Sequence, residues 1–409
     1  MTLTLEIDEL GAKGDGVATG PENAPLYVPF TLPGERVEAE RSGARAKLLR
    51  IELASKDRVE PPCPHFGICG GCDLQHADDA LYRDFKRRLV VSALKSRGIE
   101  TEIAPLVTIP PATRRRAVFS GLREGNRIVF GFFEALTNRI VPIETCLVVV
   151  PEIERRLNDL RSLALIVADR KGPMRMVVTA SDVGFDIALS ETAKATEALR
   201  QSIVAFALRQ DFARVTLDGE TVMETRRPTV DVARITVPLP PGGFLQASAQ
   251  AEEAMASLVT RHLAGSKAVA DLFSGIGTFA LRLARSSAVH AVETDALALA
   301  SLDAARRKAQ GLKPLTTERR DLFRRPMTAK DLSRFEGVVF DPPRAGAEAQ
   351  CHELALSKVR RVAAVSCNPA TLARDLRILL DGGFRLVGLT PIDQFVWSHH
   401  VEAVALLER

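Results

Sequence analysis

Six cysteines, Cys63, Cys69, Cys72, Cys146, Cys351 and Cys367, divide by spacing into different chemistries. Three lie in Cys63-Pro64-His65-Phe66-Gly67-Ile68-Cys69-Gly70-Gly71-Cys72, a C-x5-C-x2-C run with glycines between its thiols. Glycines there expose backbone amides to whatever the thiolates hold. Cys146 is the lone distant candidate for a fourth ligand. Four thiolates suit zinc or a [4Fe-4S] cluster, and zinc could also recruit His65 or His76. The C-x3-C-x2-C spacing of radical enzymes is not met. Cys367 stands apart, in Ser366-Cys367-Asn368-Pro369, where a strand pattern gives way to a helix pattern. A thiol near a helix start tends toward thiolate, the nucleophilic form; a buried structural thiol is the plainer alternative. Glu402, in His400-Val401-Glu402, is a candidate general base if its environment tunes it, and a solvated acid if it does not.

A second set of residues reads as a cofactor site. Asp271-Leu272-Phe273-Ser274-Gly275-Ile276-Gly277-Thr278 ends a strand and opens a helix. Glycines such as Gly275 let backbone approach a ligand there. Glu293 follows at the end of the next strand, about twenty residues on, where an acid binds ribose hydroxyls. A dinucleotide loop wants a third glycine, and this sequence has Ala280. The acid at the head of the loop, Asp271, would repel a pyrophosphate and fits an S-adenosylmethionine (SAM) site. Asp341-Pro342-Pro343-Arg344 ends a later strand, and its two prolines make a rigid turn that sets Asp341 at the same carboxyl edge.

Those residues need a frame. The first fifty-odd positions alternate short strands with Gly11, Gly14, Gly16 and Gly20, the grammar of a small β-barrel. Positions 78–97 read as a helix with Leu81, Phe85, Leu89 and Ala93 on one face. A mixed α+β stretch follows, with helices expected over 153–165 and 193–209. From 238 onward strands alternate with helices, as in a doubly wound parallel sheet. The expected division is 1–57, an oligonucleotide-binding-like barrel; 58–237, a central α+β domain with the cysteine motif; and 238–409, a Rossmann-like domain.

The composition agrees with a globular chain of several domains. Of 409 residues, 46% are hydrophobic and 26% charged, which excludes disorder, collagen and coiled coil as the dominant state. No apolar run approaches the ~18 residues of a membrane span. The amino terminus lacks the pattern of a signal peptide, so the cytoplasm is expected, where disulfides are disfavoured. The net charge is only +4, so an anionic partner must be met by local patches. Two are available: residues 82–97 hold six basic side chains, and residues 111–127 hold five, including Arg114-Arg115-Arg116.

Together these motifs resemble the SAM-dependent RNA 5-methyluridine methyltransferases of the RumA/TrmA type. The resemblance rests on Phe244-Leu245-Gln246, the Asp271 to Thr278 loop, Glu293, Asp341-Pro342-Pro343-Arg344, Ser366-Cys367-Asn368-Pro369 and His400-Val401-Glu402. It implies Cys367 as nucleophile, Glu402 as base, and Gln246, Phe273, Glu293 and Asp341 as cofactor contacts. The cysteine segment resembles the iron–sulfur motif of the ribosomal branch, which implies a [4Fe-4S] cluster on Cys63, Cys69, Cys72 and Cys146. The amino-terminal barrel resembles the TRAM RNA-binding module, and Arg114-Arg115-Arg116 matches an arginine-rich stretch expected to bind phosphate. The implied partner is RNA, with large-subunit ribosomal RNA favoured, and the simplest assembly is a monomer. The family's Phe-Pro-x-Thr before the His-x-Glu segment reads Phe395-Val396-Trp397-Ser398 here, which leaves that loop's shape open. Rival readings are a transfer-RNA T-loop enzyme, an amino methyltransferase using Asp341-Pro342-Pro343, and a non-catalytic RNA-binding assembly factor.

Overall fold

The computed structural model describes residues 1–169 and 171–409, with Glu22 described through its backbone alone. The amino-terminal residues form a six-stranded sheet in the order Thr2–Glu6, Arg36–Ser42, Arg45–Leu53, Pro25–Val28, Gly16–Thr19, Glu9–Leu10. Only Ile7 and Asp8 separate Thr2–Glu6 from Glu9–Leu10, so both edges of the sheet belong to one bent stretch of chain. Alternation puts Leu5, Leu26, Val28, Val37 and Ala39 inside it. Arg58 closes the module from below, donating from Nε to the buried Glu35 carboxylate at 2.5 Å.

The cysteine segment, residues 57–78, contains no helix or extended strand. It is followed by the helix Asp79–Lys95, capped by the Asp78 carboxylate, which accepts from Leu81 N. The expected face packs inward, Phe85 fully and Leu81, Leu89 and Ala93 partly, and the buried surface extends beyond it to Tyr82, Lys86, Val90 and Leu94. The helix is pinched between two cores, Leu10, Leu32 and Leu74 at its start and the carboxy-terminal sheet at its end. That widens the buried line and takes Lys86 out of the basic patch. Further corrections concern helix limits. The 153–165 helix is split by a turn into Pro151–Glu154 and Leu157–Val167, and the 193–209 helix begins only at Glu197, where Thr196 caps it.

A seven-stranded sheet occupies the centre, in the order Ile140–Pro142, Arg127–Phe133, Arg116–Glu124, Met174–Ser181, Gly184–Ser190, Arg214–Leu217, Glu220–Glu224. Helices Leu157–Val167 and Glu197–Arg209 share its core.

The carboxy-terminal sheet has eight strands. Its order is Leu315–Arg319, Ala288–Glu293, Ala268–Leu272, Gly337–Phe340, Arg361–Ser366, Glu402–Glu408, Arg385–Asp393, Val107–Thr108. The first five run parallel, and the pattern reverses direction between Ala268–Leu272 and Gly337–Phe340. Such a switch point opens a crevice at the carboxyl ends of the strands. The sheet is not parallel throughout: Glu402–Glu408 is antiparallel to both neighbours. Residues earlier in the chain complete this unit. Val90, Leu94, Ile99 and Ile103 enter the core on one face, and Val230, Val232, Ile235 and Val237 the core on the other. Among the described residues, no helix is long and apolar enough to cross a membrane.

Candidate active site

A cavity of about 560 Å³ opens over the switch point, lined by both candidate sets of residues. On one side lies the glycine loop. Phe273, Gly275 and Gly277 take left-handed φ values of 60°, 54° and 97°. A Cβ on Gly277 would lie 2.4 Å from Leu302 Cδ1, so only glycine lets the helix Ala296–Lys308 pack against this turn. Glu293 accepts three backbone amides: Gly275 at 2.9 Å, Thr294 at 2.6 Å and Asp295 at 2.9 Å. Its carboxylate is thus fixed at the rim before any ligand arrives. Asp271 is fully buried and neither carboxyl oxygen has a hydrogen-bond partner in ordinary geometry. Burial holds that carboxyl well above the usual range, although the nearby Ala280 amide opposes the shift. Ser274 Oγ is likewise buried without a partner. The Phe323 ring faces Phe273 at 5.5 Å and is exposed on the cavity wall.

On the other side, strand register does the positioning. Ser366 pairs with Ala403, so Cys367 and Glu402, one step on along antiparallel strands, fall opposite each other. A chain of amides ties Glu402 to Asp341. Gln246 Nε2 donates to Asp341 Oδ2 at 2.9 Å, Gln394 Nε2 donates to Gln246 Oε1 at 2.9 Å, and the same nitrogen donates to Glu402 Oε1 at 3.0 Å. Burial and the nearby Asp341 push Glu402 up to about 8. Burial also pushes Asp341 up to about 7, against the Gln246 hydrogen bond. Cys367 departs from its expected thiolate tendency. Burial and the Glu402 and Asp341 carboxylates push its thiol up to about 11, and Arg344 opposes them weakly. The helix Pro369–Asp381 does begin beside it, but the Asn368 side chain takes the Ala370 amide at 3.1 Å. Two acids outweigh what remains of the helix end.

The tRNA (Uracil-5-)-methyltransferase family matches residues 186–409. An uncharacterized RNA methyltransferase of Brucella suis biovar 1 is 52% identical over 408 residues, covering 100% of this chain and 98% of that protein. The chain belongs to the RNA (uracil-5-)-methyltransferase family. A 23S rRNA (uracil(1939)-C(5))-methyltransferase of Shewanella is 32% identical, covering 98% of this chain and 94% of that one. Among solved structures, the Pyrococcus abyssi tRNA (uracil-54, C5)-methyltransferase in complex with S-adenosyl-L-homocysteine superposes with a TM-score of 0.76 at 23% identity, covering 99% of both chains. The fold is therefore that of this methyltransferase.

Within this RNA (uracil-5-)-methyltransferase the cavity gathers Gln246, Phe273, Gly275, Glu293, Asp341, Cys367 and Glu402. Sequence reasoning passed over Gln394, Asp321 and Phe323. Gln394 is one polar residue shortly before the last strand, and nothing in its spacing marks it as the bridge between two acids. Asp321 caps its own turn, accepting from Phe323 N at 3.0 Å, right after the strand Leu315–Arg319. The arginine triplet divides. Arg114 and Arg116 line the cavity, whereas Arg115 pairs with the buried Glu252 at 2.5 Å and donates to Gln246 O at 3.1 Å. Arg115 is thus a structural strut rather than a free phosphate contact.

The other cysteines lie apart from this cavity. Cys63, Cys69, Cys72 and Cys146 are all half-buried, and each thiol of the last three is raised by burial and by neighbouring cysteines, Cys72 up to about 12. Amides face them: Gly71 toward Cys69, and Val148 and Val149 toward Cys146. Among the described residues, however, no three His, Cys, Asp or Glu side chains converge closely enough to hold a metal ion as they stand. His65 Nε2 accepts the Glu144 amide at 3.1 Å. His76 is packed between the Phe66 and Phe30 rings, and burial pushes it down to about 4. Cys351 is core, buried in the helix Glu348–Leu356.

Proposed function

We propose that this enzyme methylates carbon 5 of a uridine in 23S ribosomal RNA, with Cys367 as nucleophile, Glu402 as base and SAM as methyl donor. The observation that carries the reading is the register that sets Cys367 opposite Glu402, above the amide chain to Asp341. Carbon 5 of uracil is a poor nucleophile. The Cys367 thiol gives up its proton to water as Sγ bonds to carbon 6, the carbon 5–carbon 6 electron pair moves toward the carbonyl at carbon 4, and carbon 5 becomes nucleophilic. SAM supplies the methyl group as an electrophilic sulfonium. Glu402 then takes the proton from carbon 5, the ring double bond re-forms, and the Cys367–carbon 6 bond breaks. A carboxyl at about 8 is well matched to accept that proton near neutral pH. Reaching the cavity requires the uridine to leave its stack.

Several features fit SAM. The fixed Glu293 carboxylate suits ribose hydroxyls. Phe273 and Phe323 offer faces for an adenine, and Gln246, Gly275 and Asp341 border the rest of the cofactor. Ser274, on the cavity wall with an unpartnered hydroxyl, offers a further polar contact there. In the cysteine segment we take the four thiols Cys63, Cys69, Cys72 and Cys146 as the donor set, as the motif's resemblance implies; His65 Nε2 is occupied by the Glu144 amide, whereas both His76 ring nitrogens are buried without a partner. We assign this set a [4Fe-4S] cluster, as the motif's resemblance implies, with the Gly71 amide facing Cys69 and the Val148 and Val149 amides facing Cys146. Its part is structural, because methyl transfer moves no electron.

Ribosomal RNA is favoured by the relative named as acting on 23S rRNA, which matches along 98% of this chain. The amino-terminal sheet is assigned as a TRAM-like, oligonucleotide-binding-like barrel over 1–57, with 58–237 as the central domain and 238–409 as the methyltransferase domain. The enzyme is further proposed to act as a cytoplasmic monomer. Mapping 5-methyluridine in ribosomal and transfer RNA from a deletion strain tests the substrate. Loss from the large-subunit RNA supports the reading, and loss from the transfer-RNA T-loop alone overturns it.

A further inference from the structure

The loop 394–401 joins the strand Arg385–Asp393 to the strand Glu402–Glu408, with Gln394 at its start and Glu402 directly after its end. Little inside the loop holds it: Ser398 donates from its amide and hydroxyl to Phe395 O, and its hydroxyl accepts the His400 amide. Its other backbone partners come from residues 73–86, more than 300 positions earlier in the chain. Trp397 N donates to Tyr82 Oη at 2.8 Å. Trp397 O accepts the Asp73 amide at 2.8 Å and the Leu74 amide at 3.0 Å. Asp73 Oδ2 in turn accepts His399 N at 3.0 Å and lies 2.7 Å from His399 Nδ1. Lys86 Nζ donates to Phe395 O at 3.0 Å and to His400 O. At the loop's root, Lys86 Nζ and Tyr82 Oη both donate to the buried Asp393 carboxylate, at 2.7 and 2.5 Å.

Three features show that this is more than ordinary packing. Lys86 is completely buried, so its charge is committed to this loop and to Asp393. Trp397 takes φ +60°, a left-handed conformation that a bulky residue keeps only where its surroundings over-determine it. Gln394 is held on both sides, through Asp393 and through Phe395 O, and it is the residue whose amide bridges Gln246 and Glu402.

We propose that Asp73, Tyr82 and Lys86 are positioning residues for methyl transfer, holding the loop 394–401 so that Gln394 aligns Glu402 for proton removal. Asp73 directly follows Cys72, so the same contacts tie the cysteine site to the active site. The proposal rests on Glu402 being the base.

Tyr82→Phe and Asp73→Ala test it, because each removes one clamp without leaving a buried charge; Lys86→Met is the harsher version. Turnover on an ordinary uridine substrate RNA should fall roughly 10- to 100-fold, the cost of a small misplacement. The covalent Cys367–RNA adduct should accumulate, because carbon 6 addition proceeds while elimination waits on the proton. Trp397, the only tryptophan, reads the loop directly: acrylamide should quench its fluorescence more readily in the variants. Glu402→Gln is the reference and should accumulate the same adduct. If it does while Tyr82→Phe and Asp73→Ala turn over normally, the positioning proposal is overturned. It is also overturned if adduct and turnover fall together, the signature of general destabilisation. If Glu402→Gln accumulates no adduct, the base assignment has failed instead. In that event Trp397 quenching decides the clamp, with unchanged quenching overturning it and increased quenching supporting it.

Discussion

Cys367 and the group Cys63, Cys69, Cys72 and Cys146 account for five of the six thiols, and the two environments resist thiolate formation for different reasons. Around Cys367, after burial itself, the opposing neighbours are the carboxylates of Glu402 and Asp341, with Arg344 as the relieving cation. Around Cys72, the opposing neighbours beyond burial are the other three cysteines. A single positive charge passing through the cavity can relieve the first arrangement. The second arrangement keeps its thiols protonated, and the proposed metal centre would relieve it by binding all four thiolates at once. On the proposed reading, one site meets charge that comes and goes in a reaction, the other charge that stays. Similar residues therefore do different chemistry because of what lies next to them.

That contrast can be broken most sharply at the nucleophile. Cys367→Ala should lower methyl transfer by roughly 10⁴-fold or more and abolish the covalent adduct with 5-fluorouridine RNA, leaving iron content unchanged. Continued methylation by that variant would sink the assignment. Next comes Glu402→Gln, with turnover reduced roughly 10²- to 10⁴-fold in steady-state assays. The mirror experiment is Cys72→Ser. Metal affinity should drop by more than the roughly 10- to 100-fold that loss of an outer-shell partner causes, measured by iron, sulfide and zinc analysis after anaerobic purification. A colourless wild-type protein with stoichiometric zinc would replace the cluster by zinc.

Acidity separates the sites further. Free-enzyme kcat/KM should climb with pH, more steeply below the Glu402 value of about 8 than above it, because the base must be ionised as well as the Cys367 thiol at about 11. Stability should move the other way. Folded Glu402 and Asp341 hold protons up to about 8 and about 7, whereas unfolded they release them near 4.5 and 3.8. The ligand-free protein therefore binds more protons folded, and its Tm should fall as pH rises from about 4.5 to 8. Glu402→Gln should flatten that fall in a pH series of thermal melts. The smallest effect belongs to Arg114, which lies between the two regions, near Cys146 and Cys72 and over the Phe395 ring at 5.4 Å. Arg114→Ala should weaken RNA binding and reduce the salt slope by about 1; an unchanged slope removes it from the phosphate contacts.

Much of this was legible in one dimension. Strand ends carrying Asp271, Glu293, Asp341 and Cys367 announce a row of functional groups at one sheet edge, because parallel strands of a doubly wound sheet end on the same side. Lys86 shows where such reading stops. In the sequence it is one of six basic residues in a helical run, indistinguishable from Arg83 or Arg87. In the fold it is completely buried against Asp393. Arg115 likewise looks like its two neighbours and alone pairs with Glu252. The helix 79–95 buries more than its expected face for the same reason, since its second partner comes from a distant part of the chain.

The sequence by itself determined which groups could react and which strands would carry them, because motif chemistry and hydrophobic period are local. Only the tertiary structure decided their acidities and their alignment. Those depend on burial and on charges brought together from strands and loops far apart: Glu402 beside Asp341, Gln394 between them, and a loop held in place by Asp73, Tyr82 and Lys86.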